Sequence, residues 1–424
     1  MPAFSFIFPG VLIGVKNRFK MKLPARLILG LWFLLNLVGC TEKLVPQRLN
    51  QHFEYQPSTA VTYDLRREGD SLHVFLRFND KNFFAYPQNM AVRYAVYVDY
   101  NTNDKLLNDS LSARKTRFQK TEDGVYTNFK IPAAKLRSQA VLVLKIFSRN
   151  DPDVVIYKDI QLTTGNLQKP YVLVRPENGL PLFRNFVRQH EAFLVAQAGV
   201  PLPGELIRYE AAFEAALPPM ATAAKTVEPT LKKLNTVPFL DQPLALPETG
   251  LYGISVGGKA VGGLLVESTN FPEVTSAKEL IQPLIYITSS AERNKLYQAT
   301  DPKAALDKFW LDISPNQNEA RKLIRLYYER VVTANLLFTA HKTGWQTDRG
   351  MIYMIYGPAD RVNRFNDREE WTYFMNEDHM ETRFIFIKKD NTFTQNYYEL
   401  LRSPYLEDIW YSMVEQWRKG TIAK

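Results

Sequence analysis

Residues 344–361 read GWQTDRGMIYMIYGPADR and gather the side chains best suited to chemistry in this chain. Two carboxylates, Asp348 and Asp360, have the type required of a general base, and Arg349 has the fork of donors that holds an anion. Such a site would need the acids gathered in a cleft with the arginine. Each residue also has a structural use. Gly344 would end a helix in a left-handed conformation. Trp345 would fill a gap between that helix and a sheet, and Thr347 and Asp348 would bond turn N–H groups. Gly350 would swing the chain into a strand in which Ile352, Met354 and Tyr356 alternate with Met351, Tyr353 and Ile355. Gly357 and Pro358 would stop it, and Asp360 would cap the following turn. The structural reading accounts for every residue; the catalytic one uses three.

Other constellations are weaker. SVGGKAVGG (255–263) lacks the G-x-x-x-x-G-K-[ST] order of a phosphate loop and reads as a hairpin turn. DYNTND (99–104) begins like a calcium loop, but Asp104 stands where glycine is needed and Ser110 where the bidentate glutamate belongs. The tetrad Ser112 to Lys115 fits S-x-x-K without its companion motifs. His52, His73, His190, His341 and His379 are scattered, with no H-E-x-x-H pair, and NEDH (376–379) reads as a polar hairpin loop. No metal, cofactor or catalytic set is expected.

The single cysteine, Cys40, excludes disulfides and thiolate metal sites. It follows MKLPARLILGLWFLLNLVG, in which Lys22 and Arg26 precede an apolar run from Leu27 to Val38. That run is short for a bilayer span and right for the apolar core of a signal peptide. With Leu37, Val38, Gly39 and Cys40 as the lipobox, the segment resembles a bacterial lipoprotein signal. The resemblance implies cleavage before Cys40, a diacylglycerol thioether on its thiol and acylation by chains such as palmitate. Thr41, rather than aspartate, points to the outer membrane. Residues 1–20 read as a mis-called extension ahead of a start at Met21, 21–39 as signal peptide and 40–62 as a polar tether.

The net charge of +9 does not indicate nucleic acid, because five of the basic residues precede Cys40 and about +4 remains for the rest. No basic stripe with interleaved aromatics is present. The composition, 46% hydrophobic and 13% aromatic over 424 residues, fits a multidomain globular chain.

The elements that must position the candidate residues follow from periodicity. SLHVFLRF, MAVRYAVYVDY, GVYTNFKI, AVLVLKIFSR and VVIYKDIQL alternate between turn signals, which predicts a β-sandwich over 63–165. A second β-rich domain is expected over 166–290, with a proline-rich loop between Pro218 and Pro247. In 291–424, Asp301 or Thr300 would cap a helix carrying Pro302 in its first turn, and a second would run from about Pro315. GMIYMIY, EEWTYFM, TRFIFIKK and TFTQNYYEL read as strands. A last amphipathic helix would follow Ser403 and Pro404, its apolar face running from Leu406 to Trp417. The expected class is multidomain and mainly β, ending in α+β, with helices packed on an antiparallel sheet.

Gly344, Trp345, Thr347, Asp348, Arg349, Gly350 and the run Ile355 to Asp360 together resemble the GWxTD domain, over roughly residues 290–424. The family carries no established activity. The reading favoured is a lipid-anchored envelope protein acting as a binding, scaffold or accessory subunit at the outer membrane, with an envelope protein as partner. The alternative is an envelope hydrolase with its site around Asp348, Arg349 and Asp360. A binding domain should display an apolar or aromatic patch, and an enzyme a concave pocket with converging polar groups.

Overall fold

The computed structural model describes residues 61–79, 90–111, 118–148, 155–210, 212–221, 231–374 and 381–422. Cys40 and its signal segment, most of the expected tether, Ser112 to Lys115 and NEDH lie outside the described residues.

Alternation builds the first module. In SLHVFLRF, Leu72, Val74, Leu76 and Phe78 are fully buried while their neighbours are half-exposed. The strands run β1 (Val61–Glu68), β2 (Ser71–Phe78), β3 (Met90–Tyr97), β4 (Lys105–Leu111), β5 (Gln119–Thr121), β6 (Gly124–Pro132), β7 (Val141–Ser148) and β8 (Val155–Gln161). They form two antiparallel sheets, β1-β2-β6-β5 and β4-β3-β7-β8. Side chains from both, among them Leu72 and Val74 from one and Val92 and Leu144 from the other, share one core. A short helix, α1 (Thr164–Gln168), with a Thr163 capping box, leads out.

The middle module contains β9 (Tyr171–Val174), β10 (Phe186–Arg188), β11 (Leu194–Gln197), β12 (Gly204–Glu210), β13 (Lys232–Phe239), β14 (Gly250–Val256) and β15 (Lys259–Glu267). Its five-stranded sheet has the order β10-β15-β14-β12-β13, and β9 pairs with β11 beside it. SVGGKAVGG is the β14–β15 hairpin, as its sequence predicts. DYNTND is the β3–β4 turn, in which Asp99 accepts the N–H of Asn101 and Thr102 that of Asp104.

The last module has helices on one side of an antiparallel sheet. Short α2 (Ala277–Ile281) and α3 (Ser290–Gln298) carry Ser–Glu capping boxes, a signal present in the sequence at Ser276 and Ser289. Then follow α4 (Pro302–Asp312), capped by Asp301, and α5 (Gln317–Phe338), capped by Asn316. The order continues with α6 (Asp348–Tyr356), β16 (Arg361–Arg364), β17 (Arg368–Phe374), β18 (Glu381–Lys388), β19 (Tyr398–Leu400) and α7 (Glu407–Arg418). The sheet order is β16-β17-β18-β19. The molecule is thus a β-rich multidomain chain ending in an α+β module.

Two expected strands need correction. GMIYMIY is not a strand: it lies in α6, whose nine residues are all buried. A run that is apolar on every face carries no period, so alternation could not separate helix from strand. The deciding signals were its ends, Thr347 as N-cap and Gly357 beyond the last turn at φ 83°. TFTQNYYEL contributes only the three residues of β19, because the loop before it turns back to bond Asn391, Thr394 and Asn396 locally.

Candidate functional site

The motif is a clamp around the two ends of α6. At its start, Gly344 lies on the backbone of α5 so closely that a Cβ would stand 1.9 Å from the carbonyl oxygen of Ala334. Gly344 N–H donates to Thr339 Oγ1 (3.1 Å) and Trp345 N–H to Asn335 Oδ1 (3.2 Å), so α5 receives the loop through buried side chains. The carbonyl of Trp345 accepts from the hydroxyl of Tyr286 at 2.9 Å. Gly344 therefore does not end a helix in a left-handed conformation; it is the contact point of two backbones.

Thr347 donates its hydroxyl to the Gly344 carbonyl (2.7 Å) and accepts the N–H of Gly350 (3.1 Å), closing the first turn of α6. A Cβ on Gly350 would meet that same Gly344 oxygen at 1.9 Å. This glycine is required by packing inside a helix, not by a turn into a strand. Asp348 does not bond the turn either. Its Oδ2 accepts the N–H of Leu400 at 2.8 Å on β19, and its carboxylate is ion-paired with Arg402. Arg349 finds other partners. It meets Glu369 at 3.4 Å, donates to the Asn396 carbonyl at 2.9 Å and lies over the Tyr398 ring at 4.0 Å.

At the far end, Arg330 of α5 donates to the carbonyls of Met354 (3.1 Å) and Ile355 (3.0 Å) in the last turn of α6, and the Ile355 carbonyl also accepts the Trp417 indole N–H at 3.0 Å. Gly357 makes room for it: a Cβ there would stand 2.9 Å from Arg330 Nη2. Pro358 follows and is exposed. Asp360 is also exposed, and accepts the N–H of Phe374, closing the open end of the β16–β17 pair. Asp348 and Asp360 thus lie at opposite ends of a nine-residue helix, on the order of 13 Å long. A single site using Asp348, Arg349 and Asp360 together is not assembled, because each polar group is committed to a different element.

Two features were not anticipated. The chain after β12, residues 212–221, crosses the motif as a strap. Gln346 donates to the Phe213 carbonyl and its own carbonyl accepts from Ala216 N–H, at 3.0 and 2.9 Å. Lys342 reaches the Glu214 carbonyl, Arg402 the Leu217 carbonyl, and Ser403 N–H the Pro219 carbonyl. The proline-rich loop expected between Pro218 and Pro247 covers only the end of this strap, and the same stretch holds β13, an edge strand paired with β12, so proline richness did not exclude a strand there. The second feature is a buried ion chain. Glu369 accepts the Trp371 indole N–H at 3.1 Å and lies between Arg349 and Arg364, and Arg364 reaches Asp159 of β8 at 3.5 Å. Burial opposes ionisation of Asp159, but Arg364 and the Tyr100 hydroxyl keep its carboxyl below the usual range.

His341 is buried between the rings of Phe213 and Tyr397, each 4.7 Å away, and burial lowers its pKa to about 4. Among the described residues, no three His, Cys, Asp or Glu are placed to hold a metal ion. No described helix is long and apolar enough to cross a membrane.

The chain carries a GWxTD domain, matched by the model of that family over residues 250–419. The match starts at β14, well before the boundary expected near 290. The hairpin it includes is tied to the last module through Leu251 and Leu265, which share a small core with Phe271 and Phe393. No curated protein matches. Among solved structures, a complex titled Dpr2 Ig1-Ig2 with DIP-Theta Ig1-Ig3 matches at 11% identity, over 50% of this chain and 99% of that one, with a TM-score of 0.16. Red sea bream transglutaminase matches at 8% identity, over 50% of this chain and 32% of that one, with a TM-score of 0.14. Scores this low carry no argument about the fold.

Proposed function

We propose that this protein is a lipid-anchored subunit of the cell envelope, held at the outer membrane through Cys40, that acts by binding an envelope protein. The observation that carries this reading is a group of exposed apolar side chains on the segments around a motif whose own polar groups are bonded within the protein. Leu401 and Tyr405, 57% and 74% exposed, flank the Arg402–Ser403 pair that grips the strap. Leu217 on the strap and Tyr411 on α7 are exposed as well. Exposed tyrosine and leucine beside a rigid frame suit a protein partner better than a substrate. The lipobox at Leu37 to Cys40 supports the anchor.

The test is crosslinking and pull-down from membranes with the wild type and with Leu401→Glu and Tyr405→Glu. Both sites are exposed, so melting temperatures should hold while a crosslinked partner is lost. Unchanged crosslinks would remove these side chains from the reading. Cys40→Ser should lose labelling by palmitate and leave the membrane fraction; retention of both would end the anchor proposal. A variant Asp348→Asn that folds, keeps every crosslink and fails to complement a deletion would favour an enzyme around the motif.

A further inference from the structure

A concave space lies away from the motif. It is a cleft of about 500 Å³ where the end of the sandwich meets the last module. That is within the roughly 300–1,000 Å³ usual for small-molecule sites. One wall comes from the loop before β7 and from the β8–α1 junction, with Gln139, Gln161 and Thr164. The other comes from the β16–β17 turn and the loop after β18, with Asn366, Lys388 and Gln395. The walls are fixed to each other. Gln161 donates to the Asn366 carbonyl and accepts from Lys388, and Thr163 bonds Gln395 at 2.8 Å. The cleft is thus already formed.

Its lining is mostly amide, hydroxyl and ammonium, with one carboxylate, Asp390, and Leu162 as the only large apolar side chain. An apolar ligand would find little to cover. Two groups have unused bonding capacity. Asn366 Oδ1 is a buried acceptor with no hydrogen-bond partner among the described residues. Lys388 Nζ has three donors, and Gln161 Oε1 is its hydrogen-bond partner there. No carboxylate stands within ion-pair distance of it among the described residues, although Glu369 and Asp390 favour its charge from farther away, whereas Lys389 meets Glu399 at 3.6 Å. Burial first, and then the Arg349 guanidinium, lower the Lys388 ammonium to about 8. An added anion would relieve both.

We propose that this cleft is a binding site for a sugar bearing an anionic group, with Lys388 holding the anion and the surrounding amides and hydroxyls meeting the sugar hydroxyls. A half-buried ammonium with donors to spare favours an anion, and walls of amides and hydroxyls favour a polyhydroxylated ligand; one small sugar acid supplies both. The inference goes beyond the docking reading and does not depend on it, since the cleft shares no residue with the Leu401–Tyr405 segment.

The test is a ligand-observed NMR titration of the full chain with glucuronate, glucose 6-phosphate, glucose and inorganic phosphate. At least one of the two sugar acids should bind, glucose at least tenfold more weakly, and phosphate alone no better than glucose. Which acid binds tells a carboxylated from a phosphorylated ligand. Lys388→Met should weaken binding at least tenfold. Thr164→Trp, from an exposed position on the rim, should block the cleft without touching the core, so it serves even where the lysine variant melts early. Absence of binding by both acids, equal affinity for glucose or for phosphate, or full affinity in folded Thr164→Trp would overturn the proposal.

Discussion

Asp348 shows how the motif works at the scale of single residues. Its carboxylate meets a backbone N–H of β19 and the guanidinium of Arg402, and that guanidinium holds the strap. Removing one side strands the other with little water to replace it. Asp348→Ala is expected to cost about 3–5 kcal/mol, with Arg402→Ala similar and the double variant well short of the sum. Urea melts of the four proteins would test this; additive losses would mean the pair is not coupled. Gly350→Ala should cost more than about 2 kcal/mol, since its methyl would stand on the Gly344 carbonyl, whereas exposed Pro358→Ala should stay within about 0.5 kcal/mol.

At the scale of elements, α6 is held by its caps. The sequence offered both, Thr347 and Gly357, yet the apolar run between them read equally as a strand. What no local signal contained is Arg330, which lies on α5 and serves the end of α6. Arg330→Met keeps the apolar stem and loses two charge-assisted bonds, an expected cost of about 3 kcal/mol. Hydrogen exchange should rise in the last turn of α6 before it rises elsewhere; protection there equal to wild type would contradict the capping role. The strap depends on a second hidden partner, His341. Its folded pKa of about 4 lies below the ordinary value near 6.5, so the unfolded chain binds more protons between the two. The stability tied to neutral His341 is present above about 6.5 and is lost as pH falls towards 4, up to about 3 kcal/mol. Denaturant midpoints at pH 7.5 and 5 should differ less in His341→Phe than in wild type; an equal difference would place the pH dependence on other groups.

Across the whole molecule, the sandwich is tied to its neighbours by polar groups, whereas the middle and last modules also share a small apolar core. The sandwich meets the last module through Asp159, Arg364, Glu369 and Arg349, and meets the middle module through Arg175 and Asp123 at 2.5 Å. Asp159→Asn removes the acid at the end of the ion chain. Exchange should then rise in β8 and β16 while α6 keeps its protection. Uniform loosening would mean the chain supports the last module as a whole rather than the junction.

The sequence alone determined the alternating strands of the sandwich, the β14–β15 hairpin, the capped helices α4 and α5, the final amphipathic helix and the GWxTD motif. Each of these is written in neighbouring residues, as a period, a cap or a turn. Tertiary structure alone decided that Asp348 and Arg349 are committed to different partners, Arg402 and Glu369, that Asp360 lies beyond the other end of α6, and that residues 212–221 cross the motif. It also decided that Gln161 and Lys388, far apart in the chain, face one cleft. Those relations are set by which buried ions and backbone groups find partners across distant segments, and a local pattern holds no record of them.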